Sequence, residues 1–437
     1  MLQEASPGKE DRMLKRTATA ALVAIACLVV AGEAATATTY VVEANGSGDY
    51  ATIQDAIDAA VDTDVIELGN GTFDGPGNYD IDFLGKAITV MGQTGDPGDV
   101  TIDVDGSEFT PRRGFWFHNG EGSSSVLQDV TVVNGYIVGG NGGAILCEGG
   151  AAPTIENCLF GSNTVDGPDV MGGAVHMDAP DYFVMTGCRF TGNTAGEFTG
   201  GFGGAVSVVD VDQGEFHDCV FGPGNYAGNR GGGVYMDPSD AERGDLYYED
   251  CIFFDNGAPI GGGVCSDNGD LGMMGCSVYW NDSSTGGAMG GGVACYSGFN
   301  ITNSTFMGNF GVHGGNLYFG PSASGDVMRC IVVYSLMGGG IYVDAVERSA
   351  NVQCCDVAEN TGGNYVGDIS DQTGINDNIS VEPLFCDAPS GDLTLYNTSP
   401  CAPENSPCGQ LIGSSPVDCE TAVEESSWGQ IKASYDN

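Results

Sequence analysis

The chain has 437 residues, 72 of them glycine, and sets 13 Lys and Arg against 59 Asp and Glu for a formal charge of −46. So few cations cannot neutralise a phosphate backbone or an anionic bilayer, which excludes nucleic acid and acidic membranes as partners, and so much glycine excludes a helical bundle. Length leaves the number of domains open, because repeat folds run long as single units.

In chain order, Lys15 and Arg16 precede an apolar run from Ala20 to Val30, and Ala35-Thr36-Ala37 has the small-x-small form that a signal peptidase cleaves. Residues 1–37 are therefore expected to be a signal peptide, and the mature chain to be secreted or displayed at the cell surface, where cysteines meet oxidising conditions. Cys27 follows Ala24-Ile25-Ala26, a poor lipobox, and the apolar residues after it fit a continuing signal segment better. No later stretch approaches the ~20 apolar residues of a membrane helix. At 48–73, Ile53, Ala56, Ile57 and Ala60 share one stripe of a short helix, followed by a strand from Val65 to Leu68.

From there a glycine motif recurs: GGAI at 142–145, GGAV at 172–175 and 203–206, GGGV at 231–234, 261–264 and 290–293, GGNL at 314–317 and GGGI at 338–341. Successive motifs are 24 to 31 residues apart. Out of phase with them, Cys158, Cys188, Cys219, Cys251, Cys276 and Cys330 each stand two residues before an aromatic residue or Val, and Ser304 takes that place in one unit. Asn163, Asn193, Asn256, Asn281 and Asn309 follow at a fixed offset, with Asn225 one residue late. A unit this short buries no core alone and must stack on its neighbours. Its apolar runs of four to six residues, broken by Gly, Asn and Asp, are strands rather than helices. Stacked coils place like residues about 4.8 Å apart, so Val175 and Met177 form inward ladders and His176 points outward. Asn at a bend tolerates left-handed geometry and can bond to the next coil. Parallel thiols point alike and lack the spacing of metal fingers, so the cysteine row reads as a buried small-hydrophobe ladder, whereas Cys265 faces outward and is expected to be paired or reactive.

These features resemble the right-handed parallel β-helix family, which includes pectate lyases, polygalacturonases and the passengers of chlamydial polymorphic outer-membrane proteins. The last group is matched best, through GGAI and the Phe160-Gly161-Ser162-Asn163 run, over about residues 40 to 400. The resemblance implies an all-β solenoid over 38–385 with an N-terminal capping helix, closed by a small Cys-rich cap over 386–420 and followed by a tail at 421–437. It leaves function open, because the same coil hosts lyases, hydrolases, esterases and adhesins. Cys386, Cys401, Cys408 and Cys419 suit two disulfides in the cap, with a pairing the sequence does not give. No alternating strands of a membrane barrel follow Asn360.

Function must lie on outward residues. One position outward from each motif stand Leu146, His176, Ser207, Tyr235, Cys265, Ala294, Tyr318 and Tyr342, and Trp116 in GFWFHN (114–119) keeps the same register. Trp116, His176, Tyr235, Tyr318 and Tyr342 form a candidate glycan platform, set against plain β-propensity of aromatic residues. At the strand exits, Glu148, Asp178, Asp237, Asp267 and Asp344 either cap turns in solvent or hold Ca²⁺. A polyuronate lyase needs a base, yet between Lys86 and Lys432 the only strong bases are seven Arg, and Val312-His313-Gly314 is a fragment of a hydrolase signature. The sequence therefore reads as an exported, monomeric, rigid β-helix that binds polysaccharides or cell surfaces, with a polysaccharide hydrolase or lyase as the alternative.

Overall fold

The computed structural model describes residues 37–419, apart from 199, 239–243, 285–286 and 345–349. Except for Ala37, the expected signal peptide and tail lie outside these residues. A single unit begins at Thr39.

Three long parallel sheets wind around one core. Sheet I has 11 strands, from Ile81–Asp82 to Tyr365–Gly367; sheet II has 12, from Thr39–Val42 to Ala350–Gln353; sheet III has 11, from Gly71–Phe73 to Asp356–Ala358. The coil opening with the motif at 172 passes through Val175–Asp178 in sheet I, Tyr182–Thr186 in sheet II and Arg189–Thr191 in sheet III. A short strand, Thr194–Ala195, then leads to the next motif. Each strand pairs with its equivalent one coil later, as Val175 with Val206 and Val206 with Val234, so the winding is the right-handed β-helix expected. The helix Ile53–Ala59 buries Ile53, Ala56 and Ile57 in the main core, and Thr52 caps it by accepting from the Asp55 backbone N–H.

The corners explain the spacing of the repeats. Between sheets II and III the chain turns on one left-handed residue: Asn157, Gly187, Asp218, Asp250 and Gly275, with φ from 47 to 68°, directly precede Cys158, Cys188, Cys219, Cys251 and Cys276. Gly, Asn and Asp tolerate that geometry. Each thiol then donates to a carbonyl of the preceding coil, as Cys188 Sγ to Ile155 O at 3.6 Å and Cys251 Sγ to Phe216 O at 3.3 Å. The row is buried and unpaired, as its reading as a hydrophobic ladder requires.

At the next corner the left-handed residue is the one before the asparagine, such as Ser162, Gly192 and Asp255, and not the asparagine itself. The asparagine amides instead bond along the axis. Asn163 Nδ2 donates to Asn193 Oδ1 at 3.1 Å, Asn193 to Asn225 at 2.9 Å and Asn225 to Asn256 at 2.9 Å, and Asn225 has rejoined the row despite its offset in sequence. Where Ser335 stands in the row, Asn316 of the GGNL motif fills the gap, taking a bond from Asn309 at 2.8 Å and giving one to Asn360 at 3.0 Å. The first glycine of each motif is left-handed, as Gly172 and Gly203 at φ 67° show, and a Cβ on the second, Gly173, would strike the Gly204 carbonyl oxygen of the next coil.

Beyond the last coil, Asn378 and Ile379 accept from the Cys355 and Val357 backbone N–H groups. The small three-stranded sheet Phe385–Asp387, Asp392–Tyr396 and Val417–Cys419 turns back along the outside of sheet III, where its Leu393 and Leu395, with Ile412 of the connecting loop, cluster with Ile331 and Val333. Two disulfides form there, but not from the expected four cysteines alone. Cys386 pairs with Cys419, whereas Cys408 pairs with Cys354, the left-handed residue before Cys355 that points out of the solenoid. Cys401 is left as a buried thiol.

Candidate functional site

The expected aromatic platform is largely covered. Tyr235 and Tyr318 are each 3% exposed, His176 is 3% exposed, and Tyr342 is half-buried; Trp116 alone stands out, 38% exposed. The cause is a further layer of chain. Phe202, Arg230, Ile260, Met289 and His313, in the segments that enter each glycine motif, stack on one another by single bridges and close over the row. Tyr235, Cys265, Ala294 and Tyr318 thereby become a second small core with Phe202, Ile260, Met289 and Tyr296. Cys265, expected to be paired or reactive, is buried and free, and donates to Asp267 Oδ1 at 3.6 Å. His176 bonds through Nδ1 to Ser207 Oγ at 2.7 Å, and burial, with Arg113 nearby, pushes its pKa down to about 4. Trp116 stacks on His118 at 3.7 Å and donates to Glu148 Oε2 at 2.9 Å.

The acidic positions are likewise engaged and not continuous. In sheet I, Val209 stands between Asp178 and Asp237. Asp237 accepts from Asn268 Nδ2 at 2.7 Å, Asp267 pairs with Arg230 and faces the Tyr235 hydroxyl at 3.0 Å, and Asp344 accepts from the Tyr318 hydroxyl at 3.2 Å. Among the described residues no three of His, Cys, Asp or Glu converge as a metal site.

A different face is open. Along the outer side of sheet II the pairing register sets Tyr182, Gln213, Asp245 and Asp270 in one row, and Glu215, Tyr247, Gly272 and Asn300 in the next. Thr186, His217 and Glu249 make the third. Their neighbours Phe183, Phe216, Tyr248 and Met273 point inward and lock the strands to the core. The result is a groove of about 560 Å³ lined by Gln213, Glu215, Asp245, Tyr247, Asp270 and Asn300, among others. Tyr247 lies across Gly272, where a Cβ would meet its ring, and Tyr182 stands 46% exposed at the margin.

The electrostatics of this face are one-sided. Burial, and then Asp270 on the next coil, raises the Asp245 pKa; burial, then Asp218 and Glu249, raises that of Asp250. His217 sits between two carboxylates, its Nε2 3.0 Å from Glu215 Oε2 and its Nδ1 3.0 Å from Glu249 Oε2. Among the described residues the lining holds no Lys or Arg. Four cations among the described residues are used elsewhere: Lys86 by the Ile57 and Asp58 carbonyls, Arg113 by the Asn141 and Gly142 carbonyls, Arg230 by Asp267 and Arg329 by Asn303. Sequence reasoning missed this face because its residues change from coil to coil; the signal was the five-residue alternation in YFVMT, QGEFH and DLYYE.

No protein-family model matches the chain, and no curated protein sequence matches it. Among solved structures, pectate lyase Pel9A is 14% identical and superposes with a TM-score of 0.52 over 88% of this chain and 97% of its own. A rhamnogalacturonan lyase is 12% identical, with a TM-score of 0.40 over 80% of this chain and 91% of its own, too distant to bear on the argument. At such identities the likeness is one of architecture, and the chain is a right-handed parallel β-helix of the pectate-lyase-like fold.

Proposed function

We propose that the outer face of sheet II binds an extended, uncharged polysaccharide, and that the protein does so after export. The observation that carries this reading is the open groove of about 560 Å³ on rigid stacked strands, where the half-buried ring of Tyr247 stands beside Gly272 among carboxylates and amides. A sugar ring offers an apolar face to such an aromatic ring and hydroxyl pairs to such acceptors. Strands locked into a core need no ordering on binding, which removes one cost of association. A polyuronate would meet Glu215, Asp245 and Asp270 with no cation among the described lining residues, so like charges count against it. The two disulfides accord with an oxidising compartment.

The test is retention of the purified mature chain on a panel of neutral and uronic polysaccharides. Retention on a neutral polymer, weakened by Tyr247→Ala with Tyr182→Ala, is expected. Retention confined to polyuronates, or indifferent to both substitutions, refutes the reading.

A hydrolytic reading has one observation in its favour, the Glu215–His217–Glu249 clamp, which places proton-transfer groups on the same face. Release of new reducing ends, abolished by Glu215→Gln or Glu249→Gln, would make the protein an enzyme; retention without product leaves it a binder.

A further inference from the structure

A second cavity opens on another side of the solenoid, at the corner that follows sheet III. It measures about 600 Å³ and is lined by Phe254, Asp255, Trp280, Asp282, Phe310 and Leu336, among others. An adjoining hollow of about 250 Å³ brings Tyr226 alongside the same two carboxylates. The described residues that line both contain no cation.

The local sequence departs from the repeat here. The corner position before each row asparagine is Ser162, Gly192, Gly224 and Asp255 in the preceding coils, residues that suit the left-handed backbone, but in this coil it is Trp280 at φ 56°. A bulky side chain is costly there; the indole packs in part on the apolar cluster beneath the cap and edge-on to Tyr279 at 5.1 Å, and it also lines the cavity. The next coil makes room: Gly308 lacks the Cβ that would strike the indole, so Trp280 lies against bare backbone. Asp255 and Asp282 stand on successive coils, close enough that Asp282, after burial, raises the Asp255 pKa. Two carboxylates beside three aromatic rings, in a hollow without a compensating cation, form an environment whose charge and surface are complementary to one kind of ligand. A metal ion would gain nothing from the rings, and a neutral apolar group nothing from the carboxylates.

We propose that this cavity binds an organic ammonium group, a cationic nitrogen bearing carbon substituents, held against Trp280, Phe254 and Phe310 and balanced by Asp255 and Asp282. Ammonium groups of this kind occur on amino sugars and on quaternary amines such as choline, and both present the same chemistry to the site. The cavity is separate from the sheet II groove, so failure of either proposal leaves the other standing.

The experiment titrates choline, its uncharged tert-butyl isostere, glucosamine and glucose into the purified mature chain at constant ionic strength, read by indole fluorescence and by calorimetry. Choline or glucosamine is expected to bind saturably and at least about tenfold more tightly than its neutral counterpart. Preference for choline assigns the site to quaternary amines, and preference for glucosamine assigns it to amino sugars. Trp280→Ala should abolish the response, and Asp255→Asn with Asp282→Asn should erase the preference for charge. Because Trp280→Ala also relieves a strained corner, Gly308→Ala serves as a second variant that keeps the indole and displaces it. Equal affinity for charged and neutral members of a pair, binding unchanged in the Trp280 and Gly308 variants, or no saturable binding by either amine overturns the proposal.

Discussion

Replacing Asp356 with Asn should make the protein more stable at neutral pH and flatten its dependence on pH. Asp356 opens the last strand of sheet III and is fully buried beneath the C-terminal cap. Its Oδ1 accepts from the Val381 N–H at 3.0 Å and its Oδ2 from the Cys401 thiol at 3.3 Å, with no cation paired to it among the described residues. Burial therefore pushes its pKa up from 3.8 to about 7. A carboxyl raised in the folded state makes the native chain bind the extra proton, so its stability is greatest below the unfolded pKa and falls as pH rises toward 7. At about 1.4 kcal/mol per pH unit, the interval from 3.8 to about 7 corresponds to roughly 4 kcal/mol, of which roughly 3 kcal/mol is lost between pH 5 and 8. The asparagine keeps an acceptor for Val381 and cannot ionise. Denaturant unfolding of both proteins at pH 5 and pH 8 measures the effect, since the other titrating groups are common to the pair. The variant should gain on the native protein by 1 kcal/mol or more at pH 8, by order of magnitude, and lose that advantage at pH 5. An identical pH dependence in the two proteins would refute the buried, charge-bearing Asp356.

Asn225→Ala removes an acceptor for Asn193 and a donor to Phe190 O and Asn256, and should cost about 3 kcal/mol or more; an unchanged denaturation midpoint would deny the row its structural role. The described buried thiols should resist alkylation in the native protein and react on unfolding, with Cys354, Cys386, Cys408 and Cys419 reacting only after reduction; rapid native labelling of Cys265 would contradict its burial. Because Asp237, Asp267 and Asp344 already accept protein donors, millimolar Ca²⁺ should raise the melting temperature no more than NaCl of matched ionic strength, and a larger rise would restore a Ca²⁺ site.

The coil and its register were legible because stacking forces like residues onto like positions: glycine where a Cβ would meet the next coil, cysteine after a left-handed corner, asparagine where an amide must bridge. Even GGNL, which looks like a blemish in the repeat, follows from Ser335 being too short to continue the amide row. Direction was legible and cover was not. Alternation places Tyr235 and Tyr318 away from the main core, but nothing in their strands reveals that Phe202, Ile260 and Met289 return over them. The cap pairing failed for the same reason, since Cys354 sits far from the other cap cysteines in sequence and is brought beside Cys408 only when the cap folds back on sheet III. The sheet II groove escaped notice because a binding face is where a repeat stops repeating.

The asparagine row also has an electrical sense. From Asn163, whose Oδ1 accepts from the Gly135 N–H, to Asn364, whose Nδ2 donates to Ser380 Oγ, each bridging amide accepts from the coil before it and donates to the coil after it. The amide dipoles therefore line up head to tail, with their positive ends toward the C-terminal coils, and each polarises the next. A gap in the middle weakens the bonds on both of its sides, so two neighbouring substitutions should cost less together than the sum of each alone, while two at opposite ends should simply add. In this respect the interior of the solenoid behaves as a polar wire laid through an apolar core, with its ends properly terminated.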